Sequence, residues 1–319
     1  MNAFRNLRRF LKGVGLWGIM FPCGWLIGKL PIQFSYRIAG LWAGPAYLLA
    51  INRRRILRQE VEMLYGNRFS KERVSRVVLK GFEIYLKRQI ENIAFDRITE
   101  DCLRQVVSVR GWANFWRAER KKRGVIILLA HFGSFLLPLP FLAYKKYGVH
   151  QVAGTPLVEK QGVVSRKILE ARKRQTDKMP FTFLVTDKYL GPLVRALKKG
   201  DIVVIAFDGR TGNELIPMRI LAREAQFSPG PFKLAVKTGA AILPTFVVRD
   251  RDNRHRIIFE PPMELRTENS MVNSVRRNMA DFVEIFEKYL IDYPCHFAMT
   301  LYTSRQEALY DLNPPLFVD

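Results

Sequence analysis

Residues 125–137 read VIILLAHFGSFLL, and their order already selects a class of fold. Val125 to Leu129 form an unbroken apolar run of strand length, with β-branched side chains at Val125, Ile126 and Ile127. A strand with one wet face alternates polar and apolar residues; one with no polar position is covered on both faces, as in parallel sheets flanked by helices. His131 comes directly after the run and Phe132-Gly133 follow it. That order puts the imidazole in the crevice at the carboxyl ends of the strands, where open α/β sheets bind ligands. Ser134 is placed to cap a following helix reaching residue 146, made irregular by Pro138 and Pro140.

The same alternation continues downstream. A helix is expected near residues 160–175, a strand at Phe181–Val185, a helix near 190–198, and a strand at Ile202–Phe207 that delivers Asp208-Gly209-Arg210 to an equivalent strand end. In FSPGPFKLAVKTGAAILPTFVVR, residues 227–249, Pro231 suits the first helical position and Gly239 the C-terminal cap, with a strand following at Ala241–Arg249. The run RIIFE, residues 256–260, reads as one more strand and residues 271–290 as a closing helix. Strands alternating with helices give an α/β class with a mainly parallel sheet. Upstream, apolar residues spaced by three and four through 52–93, broken at Gly66-Asn67, predict a helical hairpin.

The amino-terminal part carries a different signature. The 319 residues hold 52 Lys+Arg against 29 Asp+Glu, a net charge of +23, and residues 1–124 contain 25 of the basic and only 9 of the acidic side chains. Nucleic acid and an anionic lipid surface both answer such a field. Apolar content separates them. GVGLWGIMFPCGWLIG lies uncharged between Lys12 and Lys29, and IAGLWAGPAYLLAIN between Arg37 and Arg53. Nucleic-acid modules have no need of such runs, and no recognition motif is present, so no nucleic-acid partner is expected. Each run is shorter than the ~20 residues a perpendicular membrane helix requires. Pro22 and Pro45 interrupt them, which points to re-entrant, interfacial or short tilted helices. Arg5, Arg8, Arg9 and Lys12 before the first run and Arg53, Arg54 and Arg55 after the second suit acidic headgroups on a cytoplasmic surface, with Trp17, Trp25 and Trp42 at the interface. No small-residue cleavage site follows the first run, which argues against a signal peptide. Residues 1–55 are therefore expected to anchor the chain to an inner (cytoplasmic) membrane, and residues 56–319 to form the domain that carries the site. Cys23, Cys102 and Cys295 have no paired spacing, so neither a disulfide framework nor a thiolate metal site is indicated. His150, His255 and His296 lack metal-ligand spacing and read as surface or structural residues.

The segment ILLAHFGSFLL resembles the block around the catalytic histidine of the lysophospholipid acyltransferase superfamily, in particular its lipid A lauroyl/myristoyl branch, whose signature is H-x-x-x-x-D/E. GPLVRALKKGDIVVIAFDGR, residues 191–210, resembles that branch's stretch ending in an Asp-centred strand terminus, and FDGRT echoes the FPEGTR block of glycerol-phosphate acyltransferases. FSPGPFKLAVKTGAAILPTFVVR and PPMEL, residues 261–265, resemble its turn-helix-Thr-Gly-Ala segment and its Pro-Pro step. The resemblance implies a glycerolipid acyltransferase-like fold. It also implies transfer of a fatty acyl group from an acyl carrier protein or coenzyme A thioester to a hydroxyl of a membrane lipid or glycolipid, with no metal or cofactor. On this reading His131 is the general base and Asp208 orients the histidine or the acceptor. Gly133, Ser134, Gly209 and Arg210 border the substrate, and Arg172 and Arg174 match a basic pair that meets phosphate. Two positions depart from the pattern. Leu136 stands where the signature has Asp or Glu, and residues 293–305, YPCHFAMTLYTSR, replace a Trp-rich closing block ending in His-Arg-Arg. Either another acid has taken the place of the lost one, or the histidine works unaided, or the chain is a lipid-binding homologue without catalysis.

Overall fold

A computed structural model describes residues 30–153, 177–185, 190–210, 214–310 and 312–318. The first apolar run, the helix expected near 160–175, and Arg172 and Arg174 lie outside them. Three helices come first: α1 (Ile32–Leu49), α2 (Ile51–Tyr65) and α3 (Lys71–Ile93). Gly66 ends α2 where the sequence has its break, and the Ser70 side chain caps α3 by accepting from the Arg73 N–H at 3.3 Å. One of the expectations needs correction here. Pro45 does not interrupt the second apolar run; it sits inside α1. It lies on the exposed face of that helix, as does Leu41, whose carbonyl loses its helical partner to the proline ring. The boundary expected at residue 55 falls within α2, whose Leu57, Val61 and Leu64 are wholly buried.

A short helix α4 (Glu100–Val106), capped by Thr99, leads to strand β1 (Val107–Arg110) and helix α5 (Trp112–Glu119). Strand β2 (Val125–Leu129) then opens the alternating part with helix α6 (Pro138–Tyr144) and strand β3 (Val149–Ala153), followed by β4 (Thr182–Val185), α7 (Gly191–Lys198) and β5 (Ile202–Ala206). An antiparallel hairpin, β6 (Ile216–Ile220) and β7 (Arg223–Phe227), precedes α8 (Gly230–Thr238), β8 (Ala241–Arg249), β9 (His255–Phe259), α9 (Met271–Asp292) and α10 (Cys295–Leu309). A last strand, β10 (Phe317–Val318), pairs with β7.

The main sheet has the order β1-β9-β8-β2-β5-β3-β4. From β8 to β4 all neighbours run parallel; β9 is antiparallel to β8, and β1 parallel to β9. The period of two along β2 divides it between two cores. Ile126, Leu128 and Ala130 join the larger cluster with α2, α3, α8, α9 and α10, while Val125, Ile127 and Leu129 join the smaller one with α4, α5 and α6. The absence of polar residues in the run thus reflects two buried faces. Phe132, Phe246, Phe286 and Tyr289 pack ring against ring at the site end of the larger core. Large aromatic burial of this kind is the main source of stability in such a core.

Ser134 does not cap α6. That helix begins with Pro138, has Leu137 at its cap position without a side-chain bond, and ends at Tyr144 rather than 146. A proline at the first turn needs no cap for its missing N–H. Of the two readings open for the remaining histidines, the structural one holds: His255 and His296 are buried and His150 is half-buried, bonded to Asp201 at 3.0 Å.

Candidate active site

β2 and β5 are adjacent and parallel, with Leu129 opposite Ala206. The Phe207 N–H continues the ladder by donating to the Leu129 carbonyl at 2.7 Å. Two residues beyond that register pair stand His131 on one strand end and Asp208 on the other. The pairing of the two side chains is therefore a consequence of strand register. From β2 the chain crosses to β3 on one side, and after β5 it returns to β8 on the other, so the crossovers diverge here and leave the crevice of an open α/β sheet.

The His131 Nδ1 lies 2.9 Å from Asp208 Oδ1, and the His131 backbone N–H donates to both carboxylate oxygens, at 3.0 and 3.2 Å. The Asp208 side chain is 1% exposed and the imidazole 43% exposed. Burial opposes ionisation of Asp208, but the charge and hydrogen bonds of His131 outweigh it and hold the carboxyl below its usual range. Burial likewise works against protonation of His131; the Asp208 carboxylate prevails and raises the imidazole pKa above its ordinary value. An ionised carboxylate only accepts, so Nδ1 carries the proton and Nε2 presents a lone pair. Nε2 has no hydrogen-bond partner among the described residues, and its ring is reachable from outside.

Three ties hold the turn that carries His131. Asp208 takes the backbone N–H; the Thr300 hydroxyl donates to the His131 carbonyl; the Gly133 N–H donates to the His296 carbonyl at 3.1 Å. Gly133 has φ +57°, and a Cβ there would stand 2.1 Å from the Val247 carbonyl oxygen. Only glycine fits this position without displacement of the backbone. Gly133 and Ser134, which the resemblance assigns to the substrate, are both buried in this scaffold.

Behind the turn lies a buried polar cluster that sequence reasoning missed. Glu91 on α3 forms an ion pair with Arg249 at the end of β8 and lies 3.4 Å from His255 Nε2, which is 3.2 Å from the Tyr36 hydroxyl on α1. Burial works against the Glu91 charge, yet Arg249 and His255 keep its carboxyl well below the usual range. Burial pushes His296 down to about 3, so it is neutral and its Nε2 accepts the Arg249 N–H at 2.8 Å. A signal was available in the sequence: Glu91 is an acid on the inward face of α3, beside Ile84 and Ile90. Arg210 is also committed within the protein. It donates to the Ser304 hydroxyl, the Pro314 carbonyl and Glu307, fastening α10 and the carboxyl-terminal segment to the strand end. Leu136 is half-buried against the smaller apolar core. Residues 293–305, which lack the expected Trp-rich block, form the start of α10 and supply His296, Thr300 and Ser304 to this scaffold.

A family model described as bacterial lipid A biosynthesis acyltransferase matches residues 1–298. The lipid A biosynthesis palmitoleoyltransferase of Escherichia coli (strain K12) and the lipid A biosynthesis acyltransferase of Shigella flexneri are each 24% identical to this chain over 267 residues, covering 82% of it and 82% of the relative. Among solved structures, the 1-acyl-sn-glycerophosphate acyltransferase PlsC from Thermotoga maritima is similar with a TM-score of 0.36 and 14% identity, covering 82% of this chain and 96% of that one.

Proposed function

Since this chain belongs to the bacterial lipid A biosynthesis acyltransferase family, we propose that it moves a fatty acyl group from a carrier thioester to a hydroxyl of a membrane lipid or glycolipid, with His131 as general base and Asp208 as its orienting carboxylate. The observation that carries this reading is the 2.9 Å contact between His131 Nδ1 and the buried Asp208 carboxylate. Leucine at 136 removes the acid of the sequence signature, and Asp208 supplies the same chemistry from the neighbouring strand. The acceptor hydroxyl gives its proton to His131 Nε2 as its oxygen attacks the thioester carbonyl. The tetrahedral intermediate collapses with cleavage of the C–S bond, and the imidazolium returns the proton to the departing thiolate. Asp208 stabilises the imidazolium between the two transfers. The donor is acyl carrier protein or coenzyme A thioester.

The acceptor reaches the site from the cytoplasmic face of a membrane. No described helix is long and apolar enough to cross one. Instead α1 turns Ser35, Tyr36, Ala39 and Ala43 inward and leaves Phe34, Leu41, Trp42, Leu48 and Leu49 on the outside, with Leu41 79% and Leu49 83% exposed. A helix apolar on both faces, followed by Arg53, Arg54 and Arg55, fits monotopic seating in an anionic surface. Tyr36, on the inward side of the same helix, reaches the cluster behind the His131 turn and ties α1 to the site end of the sheet.

The decisive test is transfer of labelled acyl chains from each donor into extracted host lipids, by the wild type and by His131→Ala. Transfer that disappears in the variant, with its melting transition preserved, supports the assignment. Turnover retained in His131→Ala removes the histidine from the chemistry, and no turnover with either donor favours a lipid-binding homologue. For seating, Leu41→Glu together with Leu49→Glu is expected to release the protein from anionic vesicles; unchanged binding would sink the α1 proposal.

A further inference from the structure

The amino-terminal half of α1 depends on one large side chain. Tyr36 and Ala39 are buried with Ile90 of α3 in a small cluster separate from the two main cores, and the other buried side chains of α1, Ser35 and Ala43, are small. An element held by so few apolar contacts belongs to the low-stability end of a fold and opens before the rest. The far end of the helix has its own fastening, an edge-to-face contact between Tyr47 and Phe82 of α3 at 5.7 Å.

Tyr36 also closes a buried charge. Its ring centroid lies 4.4 Å from the Arg249 guanidinium carbon, and its hydroxyl lies 3.2 Å from His255 Nε2. The Arg249 side chain is 5% exposed and has Glu91 and the Asn253 carbonyl, at 3.4 Å, as its other partners. A buried guanidinium with so few neighbours relies on the aromatic face to keep water out. From Arg249 two contacts lead to the residues that follow His131. The Arg249 backbone N–H donates to His296 Nε2 at 2.8 Å; the His296 carbonyl accepts the Gly133 N–H at 3.1 Å, and the His296 ring stacks on Phe132 at 5.3 Å. Thr300, one turn after His296 on α10, donates to the His131 carbonyl. The end of β8 and the first turns of α10 thus grip residues 131, 132 and 133 in succession.

Resting on the seating of α1 and the catalytic reading of His131 given above, we propose that Tyr36 is a positioning residue. By covering Arg249 it holds β8, His296 and the His131 turn in register, and it does so only while α1 is docked. The large apolar side chains Phe34, Leu41, Trp42, Leu48 and Leu49 face outward from the docked helix, so a lipid surface can take them without displacing Tyr36. Lipid that binds the docked arrangement shifts the equilibrium toward it, tightens the turn and raises turnover.

The test compares full-length wild type, Tyr36→Phe and Tyr36→Leu in neutral detergent micelles and on phosphatidylglycerol vesicles. The readout is hydrogen exchange at the Gly133 and Arg249 amides, with Ile127 in the middle of β2 as internal reference. Tyr36→Phe keeps the aromatic face and loses the hydroxyl, and in micelles it is expected to speed exchange at Gly133 and Arg249 by about two- to tenfold, the worth of one neutral hydrogen bond. Tyr36→Leu removes the face as well and adds about tenfold or more. Ile127 keeps its rate in both, which a general loss of stability would not allow. Vesicles are expected to slow Gly133 exchange in the wild type and not in Tyr36→Leu. In acyl transfer, kcat falls in the same order while KM for the thioester donor holds. If Tyr36→Leu folds poorly, Leu41→Glu with Leu49→Glu serves instead: it leaves the cluster intact, so it keeps the micelle exchange rates and loses the vesicle effect. Gly133 exchange that is unchanged in both Tyr36 variants, or that changes only in step with Ile127, overturns the proposal. Vesicles that protect neither α1 nor Gly133 count against the seating, and the micelle comparison still decides the role of Tyr36. Exchange does not depend on turnover, so a failed catalytic reading shows separately, as absent transfer in the wild type.

Discussion

Asp208→Asn is the most informative single change, because it alters charge and hydrogen-bond polarity at nearly constant volume. Asp208 now accepts from the His131 Nδ1 and from the His131 backbone N–H. An amide has one acceptor oxygen, and its NH2 must face one of these two donors. If it faces Nδ1, the imidazole is driven to the tautomer with its proton on Nε2, and no lone pair meets the acceptor hydroxyl. If it faces the backbone N–H, the tautomer survives but the imidazolium loses its counter-charge. The second case removes one charged hydrogen bond, ~1.5–3 kcal/mol, or ~10- to 100-fold in rate. The first approaches the ~10⁴-fold loss seen when a triad carboxylate is replaced by its amide. The expected fall in acyl transfer is therefore between about 10 and 10⁴, measured against His131→Ala as baseline. The pH profile gives an independent reading. Because Asp208 raises the His131 pKa, the acid limb of the wild-type profile lies above the ordinary histidine value of ~6.5, and in Asp208→Asn it moves down. The linkage to stability has two signs. The depressed pKa of Asp208 contributes stability above its unfolded value of ~3.9 that is lost as pH falls, whereas the raised pKa of His131 contributes below ~6.5 and is lost as pH rises through its folded value. Both dependences are expected to flatten in the variant. Full activity in Asp208→Asn, with an unshifted acid limb, would refute the pairing as the basis of catalysis.

Other perturbations bear on the scaffold. Leu136→Glu is expected to bring no gain in transfer and to lower stability by about 1–3 kcal/mol, since the new carboxyl would lie against the smaller apolar core; a clear rise in activity would show that position 136 still reaches the imidazole. Gly133→Ala places a methyl group against the Val247 carbonyl at a positive φ, and a loss above about 2 kcal/mol in denaturant melts is expected, with activity falling alongside. Glu91→Gln leaves Arg249 buried without its counter-charge and is expected to cost about 3–5 kcal/mol; a variant that melts with the wild type would show that the ion pair does not hold the turn.

Much of the fold is local physics written along the chain. VIILL reads as a strand covered on both faces, and Pro231 and Gly239 mark the two ends of α8, Gly239 with the left-handed φ of +73° that such a cap requires. The β6–β7 hairpin was harder to read. Its strands alternate, with Ile216, Met218 and Ile220 against Pro217 and Arg219, but the turn at Leu221-Ala222 has no Gly or Asn, and Leu221 is held at φ +52° with its N–H bonded to Glu287 on a distant helix. The site divides in the same way. His131 and Asp208 were legible as strand-end residues because each follows an apolar run. That they touch depends on β2 and β5 being neighbours in register, a relation between segments 77 residues apart that no local pattern contains. The fate of Arg210 and the cluster around Glu91 depended still more on tertiary structure. A charged side chain carries the same local signal whether water or a buried partner receives it, and only packing brings Glu307 to Arg210 and Arg249 to Glu91.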